Sequence, residues 1–139
     1  GSRGLSIVLL GSAAEAGMNR EVEGLCRSAR LVHLAGRTSL PDVLGVLDRA
    51  DLFLGNASGL AHLAGAVGIP TTVVFGSTDP EATRPWDGPR AGGAPSRVRV
   101  ARARVLCAPC RSFVCPIDHR CMTGLSVGTV LAAVESSLA

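Results

Sequence analysis

Short apolar runs and longer amphipathic runs alternate along this chain with almost nothing between them. "LSIVLLGS" (5–12) is apolar and ends in glycine, as a buried parallel strand does. "NREVEGLCRSA" (19–29) then sets Val22, Leu25 and Cys26 on one helical face. "RLVHLAG" (30–36) reads as a second strand. "SLPDVLGVLDRA" (39–50) reads as a helix with Ser39 as its cap, Pro41 in its first turn and a stripe of Leu40, Val43, Leu44 and Leu47. "DLFLGN" (51–56) is a third strand, "SGLAHLAGAVG" (58–68) a helix stopped by Gly68, and "PTTVVFGS" (70–77) a fourth strand that proline can begin because its missing N–H does little harm there. Strands and helices in strict alternation specify an α/β fold, an open parallel sheet with helices on both faces. Right-handed crossovers place all the strand carboxyl ends on one rim, where such sheets bind ligands. Gly11-Ser12, Gly36-Arg37, the turn from Gly55 to Gly59 and the turn from Gly76 to Asp79 all fall on it.

The remainder of the chain is less regular. Residues 79–96 form a loop rich in Pro, Gly and Arg, and an arginine-bearing strand candidate follows. A cysteine segment occupies 107–121, and "SVGTVLAAVESSLA" (126–139) closes the chain as a helix with Val127, Val130, Leu131 and Val134 on its apolar face. At 139 residues the chain is sized for one domain, expected over 3–139, and its 47% hydrophobic content describes a globular protein. No apolar run approaches the roughly 18–20 residues that cross a bilayer, and no signal-peptide pattern opens the chain. Gly1-Ser2 reads as a scar of tag removal, which puts the natural start upstream. Every basic residue is arginine, a pattern read with the abundant Ala and Gly as coding bias. Arg97, Arg99, Arg102 and Arg104 are read as an edge strand kept from pairing by its charges, not as a nucleic-acid surface. One Trp, three Phe and no Tyr leave little for base stacking.

The turn "GNASGLAHLAG" (55–65) bears most directly on function. Its small side chains let a ligand approach the backbone, and a helix amino terminus offers unpaired N–H groups and partial positive charge, which suit a phosphate. The plainer reading is that Asn56 or Ser58 only caps the helix. Four glycine-bearing turns on one rim favour the phosphate.

The run "LAGRTSLPDVLGVLDRADLFLGNASGLAHLAGAVGIPTTVVFGSTDPEATRPW" resembles the carboxy-terminal domain of family 9 glycosyltransferases, the ADP-heptose:lipopolysaccharide heptosyltransferases. The resemblance extends from "GSAAE" through "FGSTDP" to "CAPCRSFVCPIDHRCM" and the closing helix. Its most specific parts are the Asn-x-Ser-Gly-Leu-x-His-Leu-Ala and Phe-Gly-x-Thr-Asp-Pro runs in fixed order. It implies the Rossmann-like carboxy-terminal half of a two-domain GT-B enzyme of the inverting type, which binds an ADP-linked sugar donor and transfers heptose to a glycan or glycolipid acceptor. It also implies that the amino-terminal domain, with the acceptor and the acidic general base, lies outside this sequence, so that no catalytic residue is assigned within it. The donor-phosphate lysine is absent as well. Glu15 matches the acid that holds the donor ribose, although an early-helix acid also interacts with the dipole. Thr38 matches the position beside the adenine edge, although a simple turn fits it too. Ser58, Gly59 and Leu60 match the diphosphate cradle, and His62 a side-chain donor to the phosphate, against the alternative of an ordinary surface or core histidine. The family usually has aspartate where this chain has Ala57, and that aspartate contacts the transferred sugar; Asn56 is a weak substitute. The resemblance further implies a cytoplasmic protein, with peripheral association at the inner face of the membrane open to the full-length enzyme, and no cofactor required for transfer. Alternatives are a related GT-B transferase or sugar-nucleotide epimerase using another donor, and a nucleotide-binding or interaction module without catalysis.

Cys107, Cys110, Cys115 and Cys121 are spaced C-x2-C-x4-C-x5-C. Four thiolates so close can hold structural zinc or iron, with His119 as an alternative ligand. Plain reduced thiols and two disulfides are the other readings. Cys26 is expected in the core.

Overall fold

The computed structural model describes residues 4–26, 30–86 and 96–139. Gly1-Ser2, the last three residues of the expected helix 19–29, and 87–95 of the expected loop lie outside them. The elements are β1 (Ser6–Leu9), a 3-10 turn (Ala13–Glu15), α1 (Ala16–Leu25), β2 (Arg30–His33), α2 (Leu40–Asp48), β3 (Phe53–Asn56), α3 (Gly59–Val67), β4 (Thr71–Phe75), α4 (Pro80–Thr83), β5 (Val98–Arg102), α5 (Arg120–Thr123) and α6 (Val127–Leu138). The chain forms two compact units, 1–45 and 46–139, whose boundary falls inside α2. Each is taken by itself.

In the first unit β1 and β2 pair in parallel, Ile7 opposite Leu31 and Val8 opposite Val32. Past the strand ends the two chains stay tied, with Leu34 N–H donating to Leu9 O and Gly36 N–H to Gly11 O, both at 2.9 Å. α1 packs on β2, and the His33 ring lies 3.3 Å from Ala16 O. The expected stripe of Val22, Leu25 and Cys26 is not a buried face. α1 buries no residue, and Leu25 is 81% exposed. Cys26 caps the helix in an extended conformation, ψ 100°, and so leaves the stripe half-buried instead of entering the core. Ser39 opens α2 as expected: its N–H and hydroxyl both donate to the Asp42 carboxylate, at 2.8 and 2.6 Å. Of the α2 stripe, Val43 and Leu47 are buried while Leu40 and Leu44 are exposed.

The second unit is built on the parallel sheet β3-β4-β5. Its register sets Thr71 between Phe53 and Val98, and Val73 between Gly55 and Val100. Alternate residues of a strand face opposite sides, and here each side meets a helix. Val73, Phe75 and Val98 cluster with Ala61 of α3, and Phe53 and Val100 pack against them. Thr72, one residue out of phase, donates to Ser137 of α6 on the other side, and Arg99 Nε donates to Ser136. The three-stranded sheet therefore carries helices on both faces. Both buried threonines are satisfied, Thr71 through Ile69 O and Thr72 through Ser137, whose hydroxyl donates in turn to Val134 O at 2.7 Å. On α6 the covered positions are Val130, Ala133, Val134 and Ser137, the i, i+3, i+4, i+7 set of one helix face. Val127 and Leu131, expected on that face, are exposed because they sit off this stripe. No helix among the described residues is long and apolar enough to cross a membrane.

Candidate functional site

In the first unit two turns at the strand carboxyl ends hold the expected residues. The 3-10 turn after β1 is fixed by a reciprocal cap: Ser12 N–H and Ser12 Oγ both donate to Glu15 Oε2, each at 2.7 Å. These bonds, the backbone one first, hold the Glu15 carboxyl below its usual range. Oε2 is thus committed, and Oε1 accepts from nothing among the described residues. Thr38 lies half-buried in the turn between Gly36 and α2. Gly36 has φ +73°, and a Cβ there would come within 2.8 Å of Ala13 Cα, so only glycine lets the two turns approach. One side of the Glu15 carboxylate is therefore free at a rigid turn, beside the turn that carries Thr38.

In the second unit the opening of α3 has the form a phosphate site requires. Ser58 is the N-cap, extended at φ −149°, ψ 171°, but its hydroxyl makes no capping bond. Its carbonyl accepts from the Ala61 and His62 N–H groups at 3.1 and 3.4 Å. The N–H groups of Ser58, Gly59 and Leu60 make no hydrogen bond among the described residues. A Cβ on Gly59 would meet nothing within 4 Å, so the approach to those donors is open. His62 is exposed in the same first turn, and its ring makes no hydrogen bond among the described residues. Ser58 is thus the N-cap by its backbone alone, without a capping bond from its side chain.

The turn after β4 is organised differently. Asp79 caps α4, accepting from Glu81 N–H at 3.0 Å, and its other oxygen pairs with Arg111 at 3.3 Å. Arg111 N–H also donates to Ser77 O at 2.8 Å. The Thr-Asp-Pro run thus fastens the cysteine segment to the strand end. Gly76 lies where that segment crosses: a Cβ there would fall 2.7 Å from Met122 Sδ, and the methionine side chain would have to shift. The signal for this role was present in Asp79-Pro80, an N-cap followed by proline at N1, but the Arg111 partner, 32 residues on, had no local signature.

Within the second unit a cavity of about 330 Å³ lies between the carboxyl ends of β3 and β4 and the cysteine segment. Asn56 and Ala57 line it at the end of β3, Gly76, Ser77 and Thr78 in the turn after β4, and Cys107, Cys110, Cys115 and Cys121 on the opposite wall. All four cysteines are free thiols. Among the described residues no three His, Cys, Asp or Glu side chains converge where they could hold a metal ion. The Cys115 thiol is drawn below the usual range by backbone N–H groups, that of Ile117 first and that of His119 next, the latter 3.3 Å from Sγ. Asp118 and Arg120 close this turn with a two-point ion pair at 2.9 and 3.0 Å.

Comparison with known proteins gives these features a context. Residues 1–119 match the model of glycosyltransferase family 9 (heptosyltransferase). Lipopolysaccharide heptosyltransferase 3 of Escherichia coli is 35% identical over 88 residues, 61% of this chain and 26% of that protein. Lipooligosaccharide heptosyltransferase 2 of Campylobacter jejuni is 26% identical over 113 residues, 81% of this chain and 33% of that protein. The solved structure of the E. coli ADP-heptose LPS heptosyltransferase II superposes with a TM-score of 0.71 at 21% identity, covering 97% of this chain and 37% of that one. The chain spans about a quarter to a third of the length of these curated relatives.

Proposed function

This chain belongs to glycosyltransferase family 9 (heptosyltransferase), and on that premise we propose that it is the donor-binding part of an inverting transferase that moves heptose from ADP-heptose to a lipopolysaccharide-type acceptor. The observation that carries this reading is the open amino terminus of α3, with three unengaged N–H groups behind a glycine that blocks nothing. Oriented backbone donors at a helix start favour a diphosphate without needing a cation. In this reading Ser58, Gly59 and Leu60 cradle the diphosphate and His62 donates to it. Glu15 accepts from a ribose hydroxyl through Oε1, and Thr38 stands at the adenine edge. The sugar occupies the cavity beside Ala57. An acidic base on a second, amino-terminal domain activates the acceptor hydroxyl, and the bond to the departing ADP breaks as the new glycosidic bond forms. The enzyme works on the cytoplasmic side of the membrane.

Ala57 supports a second reading, in which the transferred sugar differs from heptose. Alanine accepts no hydrogen bond from a sugar hydroxyl, so the contact that the family's aspartate makes is lost.

The test is a titration of the 139-residue chain with ADP followed by backbone amide shifts. Binding is expected at roughly 0.1–1 mM, weak because half of the enclosing surface is absent. Shifts should centre on 11–15, 36–39 and 57–62. Saturation without any shift at 57–62 would remove the diphosphate assignment.

A further inference from the structure

A second cavity, about 360 Å³, opens at the carboxyl ends of β4 and β5. Arg102 and Arg104 line it, with Gly76 and Thr78 forming the wall it shares with the cavity beside Ala57. No acidic residue lines it. Both arginines are exposed, and neither guanidinium makes a hydrogen bond or ion pair among the described residues. Their neighbour Arg99 behaves differently: it spends its guanidinium on Ser136 Oγ and on the Ser96 and Val98 carbonyls, as an arginine that merely guards a strand edge can. Arg111 and Arg120 are each held by an aspartate. Arg102 and Arg104 thus bring two uncompensated charges to one concave place on the rim.

We propose that this cavity binds a phosphate group through Arg102 and Arg104. Two guanidinium forks match the oxygens and the double charge of a phosphate monoester, and planar bidentate pairing suits arginine better than any other cation. The Thr78 hydroxyl adds a neutral donor on the same wall. The phosphate chemistry stands by itself; its assignment to a ligand rests on the donor reading above. Strands in a sheet are about 4.8 Å apart, so the end of β5 lies about 10 Å from the end of β3, where α3 begins. That is more than one diphosphate group can bridge, and the cavity beside Ala57 lies between. The phosphate is therefore carried by the glycan acceptor and not by the nucleotide.

The test compares the wild-type chain with Arg102→Gln, Arg104→Gln and the double variant, at fixed ionic strength, by amide shifts. The exposed, unpaired positions leave the fold undisturbed, which the spectra away from the site will show. Inorganic phosphate should shift 76–78 and 102–106 in the wild type, and the double variant should weaken that response about tenfold. Glucose 6-phosphate should follow the same pattern, while ADP affinity read at 57–62 stays unchanged in the double variant. Phosphate shifts that survive the double substitution, or that spread equally to Arg20, Arg49 and Arg84, would overturn the site. A tenfold loss of ADP affinity in the double variant would overturn the acceptor assignment and give the phosphate to the nucleotide. Failure of the donor reading looks different, because ADP then leaves 57–62 unmoved while phosphate still shifts 102–106.

Discussion

At Glu15 one carboxylate oxygen is engaged in the local structure, and the donor reading uses the other. Ser12 occupies Oε2 from two donors and depresses the carboxyl's pKa. A group whose folded pKa is lowered stabilises the fold above its unfolded value and loses that contribution as pH falls through the folded one. The cap should therefore persist at neutral pH and weaken only in acid, below the ordinary glutamate range near about 4.3. Replacing Ser12 with alanine removes the hydroxyl bond and keeps the backbone one, so it should move the Glu15 titration only part of the way toward that range, a change readable by side-chain carboxyl NMR. Cys115 gives the second test at this scale. Its thiolate is favoured by the Ile117 and His119 N–H groups, and it lines an open cavity. Iodoacetamide should alkylate it at lower pH than an unperturbed cysteine, whose pKa is about 8.5. Chelator-treated, denatured, non-reduced protein should show all five thiols. Stoichiometric zinc or iron in protein never exposed to chelator would instead mean that the four cysteines draw together around an ion.

At the scale of elements, Ser58 and Ser126 each stand at a helix start, but of these two only Ser126 caps its helix with its side chain. Ser126 Oγ accepts from Thr129 N–H at 3.1 Å, whereas the Ser58 hydroxyl bonds to no helix donor. Ser126→Ala should cost about 1 kcal/mol in a denaturant melt and Ser58→Ala less than about 0.5 kcal/mol, the usual scale of a lost cap against a neutral surface change. Equal losses would mean that Ser58 caps after all and that the α3 donors are not held open for a ligand. This contrast also marks what the sequence could disclose. The order of strands and helices was legible because each apolar run was short, bounded by glycine or proline and in one clear period. Ser39 was legible as a cap because its partner Asp42 lies three residues away. The α6 face was misjudged by one step, since Val127 and Leu131 are as apolar as the residues that pack and only the sheet decides which stripe turns inward. Cys26 was misplaced because a helix end is set by the path to the next strand, which side-chain spacing does not encode.

For the molecule as a whole, the division at α2 separates the two halves of the donor assignment. Glu15 and Thr38 belong to the first unit, and Ser58 to His62, with both cavities, to the second. The assignment of rim residues to one ligand comes from the family resemblance alone, and long-range pairs such as Asp79 with Arg111 leave no periodic trace in the sequence. The second unit holds the buried cluster of Ala61, Val73, Phe75 and Val98 and thus its own source of stability. The acids at these turns already have partners among the described residues, Asp79 and Asp118 in arginines and one oxygen of Glu15 in Ser12, and the reading above places the acceptor's base on a second domain. A transfer reaction needs such a base on the far side of the sugar from the leaving diphosphate, held within hydrogen-bond reach of the attacking hydroxyl. The 139-residue chain is therefore expected to bind ADP yet to release no ADP from ADP-heptose above background in the presence of a lipopolysaccharide-type acceptor. The same assay on a chain extended by the upstream domain should restore turnover, and exchanging that domain's acidic base for its amide should abolish it while leaving ADP affinity intact. Turnover by the 139-residue chain alone would place the base within these two units and overturn the division of labour proposed for them.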